Sequence, residues 1–192
     1  MTEYHSLDSA IHDIFGSGIS VTDRIAVSGG DINRAFRLTL SNGRNVFMKS
    51  NSAENFDFFK CEVNGLNAIK STGTIDTPSV LGLGTDGKVS FLLLSHIESP
   101  VKNADFFEDF GHRLAAMHSA DTRSLTSGGK FGFFEDNFIG AGYQINTLCE
   151  SFIDFFRDFR LKPQFERAAS YFSKDEKLAI DRFLTHLDKY LI

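Results

Sequence analysis

The chain has 192 residues, 42% hydrophobic and 23% charged, which places it among globular proteins and allows one large domain or two small ones. Its formal net charge of −5 speaks against nucleic acid or an anionic membrane as the main partner. No basic-plus-apolar leader opens the sequence, the longest apolar run (Phe91-Leu92-Leu93-Leu94) is too short to span a bilayer, and Cys61 and Cys149 lack metal-ligand spacing; the expectation is a cytoplasmic protein with reduced thiols. In chain order, Leu7, Ile11, Ile14 and Phe15 recur at helical spacing, which predicts a helix over residues 4–15 ended by Gly16 and Gly18. A strand over 19–27 leads into Gly29-Gly30. Residues 33–41 alternate, with Phe36, Leu38 and Leu40 against Arg37 and Thr39, the period of a half-buried strand. Asn42-Gly43 then predicts a tight hairpin, and a strand over 44–50 ends at Lys49. The helix expected over 53–71 has an inward stripe of Phe58, Phe59, Gly65, Leu66 and Ile69, with Glu62 inside it.

After Thr77-Pro78, strands over 80–85 and 89–94 flank an Asp86-Gly87 turn. That makes five strands with one helix inserted after the third, and the short connections predict an antiparallel sheet. Residues 95–101 are polar and irregular. A helix over 105–118 carries Phe106, Phe107, Phe110, Leu114 and Met117 on one side, with His118 suited to cap its last turn. Residues 131–140 read as an aromatic, irregular loop. A helix over 147–169 is expected to end or kink at Pro163. Ser173-Lys174-Asp175-Glu176 has the form of a capping box, opening a last helix with Leu178, Ile180, Phe183, Leu184 and Leu187.

One constellation carries chemistry. Gly29-Gly30 lets the main chain approach an anion closely, Lys49 stands on a strand, and Glu62 is a carboxylate on an apolar helical stripe that needs a cation. In this order the three have the layout of a nucleotide-binding kinase lobe, in which the carboxylate holds the lysine on the nucleotide phosphates. Each has a plainer reading: an ordinary loop, a solvated edge lysine, a carboxylate at the stripe's margin. Residues 95–101 would then be the hinge whose main chain faces the adenine, or simply an interdomain linker.

The sequence resembles the fructosamine kinase (ketosamine 3-kinase) family, within the aminoglycoside phosphotransferase and protein-kinase-like fold. The resemblance rests on Gly29-Gly30-Asp31-Ile32-Asn33, Phe47-Met48-Lys49-Ser50-Asn51, Glu62 with Gly65-Leu66, Thr77-Pro78-Ser79-Val80, Ser90-Phe91-Leu92-Leu93-Leu94, Leu114-Ala115-Ala116-Met117-His118 and Phe131-Gly132-Phe133. It continues through Asp136-Asn137-Phe138-Ile139-Gly140, Gln144-Ile145-Asn146, Phe155-Phe156 and Arg160-Leu161-Lys162-Pro163-Gln164. It implies an α+β, protein-kinase-like fold: a five-stranded antiparallel sheet lobe with an inserted helix over residues 1–97, then the first helices of a mainly helical lobe over 98–192. It also implies ATP-dependent phosphorylation of the 3-hydroxyl of ketosamines, that is, of glycated amines, with magnesium. The nucleotide-contacting residues it implies are Ser28, Gly29, Gly30, Asp31, Lys49, Glu62, Leu94, Ser95 and Ile97.

Two departures bear on that expectation. The chain has no tryptophan, whereas the family usually has tryptophans near the positions of Leu148 and Phe152. The family's His-Gly-Asp-Leu-Trp-x-Gly-Asn catalytic loop and the Asp-Pro that helps bind magnesium do not occur in the sequence either. His186-Leu187-Asp188 is the nearest look-alike, but it continues a helical pattern and has no asparagine at the needed spacing. No catalytic residue and no metal ligand is therefore assigned, and the 192 residues are expected to be inactive alone, as a truncated or partial kinase. The rival expectation is a non-catalytic, pseudokinase-like nucleotide-binding or scaffolding protein. Apolar faces on the last two helices suggest a homo-oligomer, with Leu178, Phe183, Leu184, Leu187 and Leu191 to be covered by a second copy or by this chain.

Overall fold

Asn42-Gly43 sets the register of the main sheet. The amide of Gly43 donates to the carbonyl of Leu40 at 2.8 Å, and that of Arg44 to the side-chain oxygen of Asn42. Gly43 has φ 81°, a conformation that costs glycine little. The turn joins β3 (Arg34–Leu40) to β4 (Asn45–Ser52). The structure, a computed structural model, describes residues 2–28, 32–98, 104–126 and 131–191. The chain forms two compact units, Met1–Ala120 and Asp121–Ile192.

The first unit is built on a sheet of six strands rather than five, in the order β1-β5-β6-β4-β3-β2. β2 is Val21–Val27, β5 is Val80–Thr85 and β6 is Val89–Ser95. The additional strand, β1 (Glu3–Tyr4), pairs parallel with β5, so the sheet is not wholly antiparallel. It occupies the start of the segment expected to be helical. The helix α1 begins only at Leu7 and runs to Phe15, because Ser6 and Ser9 form a reciprocal capping box that fixes its first turn. The main chain of Tyr4 lies so close to Gly84 that a Cβ there would sit 2.4 Å from the Tyr4 carbonyl oxygen and 2.5 Å from the Phe91 ring. Gly84→Ala is therefore expected to push β1 off the sheet and to destabilise the unit by about 1–3 kcal/mol, as overpacking does; denaturant unfolding checks this.

β6 is buried on both faces, which is why it reads as a continuous apolar run. Phe91 and Leu93 join Leu38, Leu40, Val46 and Met48 against Ala10 and Ile11 of α1. Leu92 and Leu94 face the other way, against Phe59 and Val63 of α2 (Phe56–Ser71). A short 3₁₀ turn, Ala53–Asn55, precedes α2. The buried stripe of α2 is thus Phe59 and Val63 with Phe56 and Leu66 beside them; Phe58, Gly65 and Ile69, expected inside it, are half-buried at its margin. The last helix of this unit, α3 (Phe106–His118), buries none of its side chains fully. Phe106 and Phe110 stack in parallel with ring centres 6.4 Å apart, and both are exposed.

The second unit opens on a small hairpin, β7 (Asn137–Ile139) and β8 (Gly142–Gln144), where the sequence suggested only a loop. The helix expected from residue 147 starts later, at α4 (Phe152–Phe156), because the Ser151 hydroxyl caps it by accepting from the Asp154 amide. It continues through a π turn, Arg157–Leu161, into α5 (Lys162–Arg167). Pro163 does not end it: the helix passes through the π turn just before the proline and runs on to Arg167. Proline has no N–H and crowds the carbonyl four residues back, which is that of Phe159. The wide turn absorbs the ring, and the Phe159 carbonyl accepts from Arg160 at 2.8 Å instead.

The last helix, α6 (Lys174–Thr185), begins with the expected capping box: the Glu176 amide donates to Ser173 Oγ and the Ser173 amide to the Glu176 carboxylate at 2.7 Å. The hydrogen bond from Ser173 holds the Glu176 carboxyl below its ordinary range. A depressed carboxylate pKa adds stability above the unfolded value, near 4.3, which is lost as pH falls through the folded one. Ser173→Ala is expected to cost about 1 kcal/mol at neutral pH and less at pH 3, a difference that thermal melts at the two pH values measure. α6 stops at Thr185, and Leu187–Lys189 form a 3₁₀ turn. Leu184 and Leu187 are covered by this chain, whereas Leu178 and Phe183 are exposed.

Candidate functional site

Lys49 stands on β4 and Glu62 two turns into α2, which packs under the same face of the sheet. The ammonium of Lys49 donates to Glu62 Oε1 at 2.5 Å, with the two side chains 30% and 25% exposed. The ion pair expected from the sequence is therefore formed. A partly exposed pair adds little net stability; its effect is to fix a long, rotamer-rich side chain in one direction.

The pair lies at one end of a cavity of 820 Å³ beneath the sheet. Strand pairing shows how the roof is laid out. One cross-sheet row is Val27, Ala35, Lys49 and Leu92; the next is Ile25, Arg37, Phe47 and Leu94. The second row leads to Ser95, His96 and Ile97, which also line the cavity, and Leu66 and Pro78 contribute further apolar walls. A cavity of this size, mostly apolar with a few convergent polar groups, suits a small organic ligand.

Of the residues singled out by sequence, Ser28, Lys49, Glu62, Leu94, Ser95 and Ile97 all line this one cavity. Gly29, Gly30 and Asp31 lie outside the described residues. The segment just after them is tied down: Asn51 donates through Nδ2 to Asn33 Oδ1 at 2.8 Å and to the Ile32 carbonyl at 3.3 Å, and its own Oδ1 accepts from Asn55. Ser95 is partly committed elsewhere, since its amide donates to the Ser79 carbonyl and its Oγ accepts from the Ser79 amide. His96 and Ile97 follow directly on the end of β6, at the rim of the cavity.

The sequence reading missed Arg37 and His96. Arg37 was placed on the solvent side of its strand by the period-two pattern. The pattern was right, but the second face of the sheet roofs the cavity. His186-Leu187-Asp188 has a structural explanation. Leu187 is 2% exposed, and His186 ends α6 with its Nδ1 2.8 Å from the Arg182 carbonyl. Among the described residues, no group of three or more His, Cys, Asp or Glu side chains is placed to hold a metal ion.

The arrangement can seat an anionic group on the oriented ammonium of Lys49 and a flat apolar group against Phe47 and Leu94, beside the rim formed by Ser95, His96 and Ile97. The chain is 32% identical over 158 residues to a Synechocystis protein named as a probable ketoamine kinase, covering 82% of this chain and 52% of that one. It is 34% identical over 156 residues to an Arabidopsis thaliana protein-ribulosamine 3-kinase, covering 80% and 45%. The chain thus spans about half the length of the curated relatives it matches. A solved structure from Haemophilus somnus 129PT, provisionally named a fructosamine-3-kinase, superposes with a TM-score of 0.79 at 23% identity, over 94% of this chain and 58% of that one. A second, from Thermobifida fusca, gives 0.72 at 22%, over 97% and 62%; at these identities both likenesses concern the fold. The fructosamine kinase family matches residues 4–191, nearly the whole sequence, and the chain belongs to that family.

Proposed function

We propose that this chain supplies the nucleotide-binding part of an ATP-dependent ketosamine kinase, which phosphorylates the sugar 3-hydroxyl of glycated amines. The observation that carries the reading is the Lys49–Glu62 pair at the end of a cavity whose other end is the Ser95–Ile97 rim. In this arrangement Glu62 orients Lys49, and the ammonium donates charge-assisted hydrogen bonds to phosphate oxygens. Phe47, Leu66 and Leu94 enclose the base, and the main chains of His96 and Ile97 meet its edge. Ser28, with Gly29, Gly30 and Asp31, is assigned to the phosphate side. The substrate is a small-molecule or protein-bound ketosamine, and the compartment is the cytoplasm.

Magnesium accompanies ATP in this reading, but the described residues supply no cage for it. Phosphoryl transfer needs a group to receive the hydroxyl proton. His186 and Asp188 do not serve, being parts of a helix end. A polypeptide of these 192 residues is therefore expected to bind ATP without transferring its phosphate. Incubation with ATP, magnesium and a model fructosamine, followed by mass spectrometry, tests this, and phosphorylated product would contradict it. The same observation favours the second reading, a non-catalytic nucleotide-binding protein. Calorimetric titration with ATP tests what the two share.

A further inference from the structure

Arg37 is a half-buried cation in the roof of the cavity with no hydrogen bond or ion pair among the described residues. Several other arginines are engaged: Arg24 lies over the Phe36 ring, Arg113 pairs with Asp109, Arg157 with Asp154 and Asp158, and Arg160 binds the Ile145 carbonyl; Arg34, Arg44 and Arg182 are exposed to water. A half-buried guanidinium with neither an acceptor nor an aromatic face has five N–H donors and a flat face to offer a ligand. The position of Arg37 shows what would satisfy it. It stands directly opposite Phe47, in the row that includes Leu94 beside the rim, not in the row of Lys49.

We infer that Arg37 is a specificity-determining residue at the base end of the nucleotide site, its planar guanidinium lying on the face of the bound purine. This rests on the proposed nucleotide site and deepens it. A guanidinium over an aromatic ring is attracted by the ring's negative face and stacks through its own plane. An ammonium has the charge but not the plane. Arg37 would thus contribute equally to ligands with and without phosphates, whereas Lys49 would act only where phosphate is present.

The test is calorimetric titration of the full chain, its Arg37→Leu and Arg37→Lys variants and its Lys49→Met variant with ATP and with adenosine. Thermal melts of each variant establish that it folds. Arg37→Leu is expected to weaken both ligands by a similar factor, on the order of 10-fold. Arg37→Lys should recover part of that loss. Lys49→Met should weaken ATP and leave adenosine unchanged. If Arg37→Leu weakens ATP alone, Arg37 is a phosphate contact and the inference is overturned. It is also overturned if both ligands bind Arg37→Leu as they bind the unaltered chain. If the unaltered chain binds neither ligand, the nucleotide site itself falls and Arg37 with it.

Discussion

Replacing Lys49 by methionine is expected to weaken ATP binding by about 10- to 100-fold, the worth of a charge-assisted hydrogen bond of roughly 1.5–3 kcal/mol. The fold should be almost unaffected. The Lys49–Glu62 pair is 30% and 25% exposed on its two sides, so solvent screens it and its loss costs little stability. Methionine keeps the length of the apolar stem, so the wall of the cavity stays filled. Glu62→Gln is the informative companion. It retains an acceptor for Lys49 but removes the charge, and ATP should bind about tenfold more weakly because the ammonium is less firmly directed. A Lys49→Met variant with unchanged ATP affinity and an intact melting curve would remove the ammonium from the site.

The second large effect concerns the helix that carries Glu62. Phe59 is fully buried one turn before Glu62, packed with Val63 against Leu83, Leu92 and Leu94. Phe59→Ala should cost about 3–5 kcal/mol and lower the melting midpoint by more than ~10 °C. Phe58→Ala, one residue away but half-buried, should cost clearly less. Sequence periodicity placed both in one stripe; the structure ranks them. Equal losses for the two variants would mean that α2 is rotated about its axis relative to this description, which would also turn Glu62 away from Lys49.

The antiparallel part of the sheet was legible because its signals are local: alternation in β3, Asn42-Gly43, Asp86-Gly87 and the apolar run of β6. β1 was not. Two residues show no periodicity, and Glu3–Tyr4 become a strand only through pairing with β5 some eighty positions later, where Gly82 and Gly84 leave room. The hairpin of β7 and β8 is equally short, and its stability lies in side chains that meet across the second unit. There Asn146, 2% exposed, donates to the Glu135 carbonyl and accepts from Arg160. The π turn before Pro163 was beyond periodicity, which marks a proline as a stop and does not show that a neighbouring arginine takes up the freed carbonyl.

At the site, the lysine and carboxylate were legible because a charge on an apolar stripe demands a partner, and the strand lysine was the nearest. Arg37 was not, since alternation divides a strand into two faces without saying that the polar one covers a cavity. Ser95 was assigned as a ligand contact from its place in the hinge. Its amide and Oγ are bound to Ser79, and it lines the cavity together with Ile97, which the sequence also offered, and His96, which it did not.

The account turns on one claim, that the cavity beneath the sheet holds a nucleotide with its phosphates on Lys49. A crystal structure of the chain with a non-hydrolysable ATP analogue tests it most directly. The predicted result is a phosphate oxygen at about 3 Å from Lys49 Nζ, Glu62 still hydrogen-bonded to the same ammonium, and the base lying against Phe47 and Leu94 at the Ile97 rim. An analogue bound outside this cavity, or one inside it with Lys49 turned to water and no phosphate within hydrogen-bonding reach, would contradict the claim.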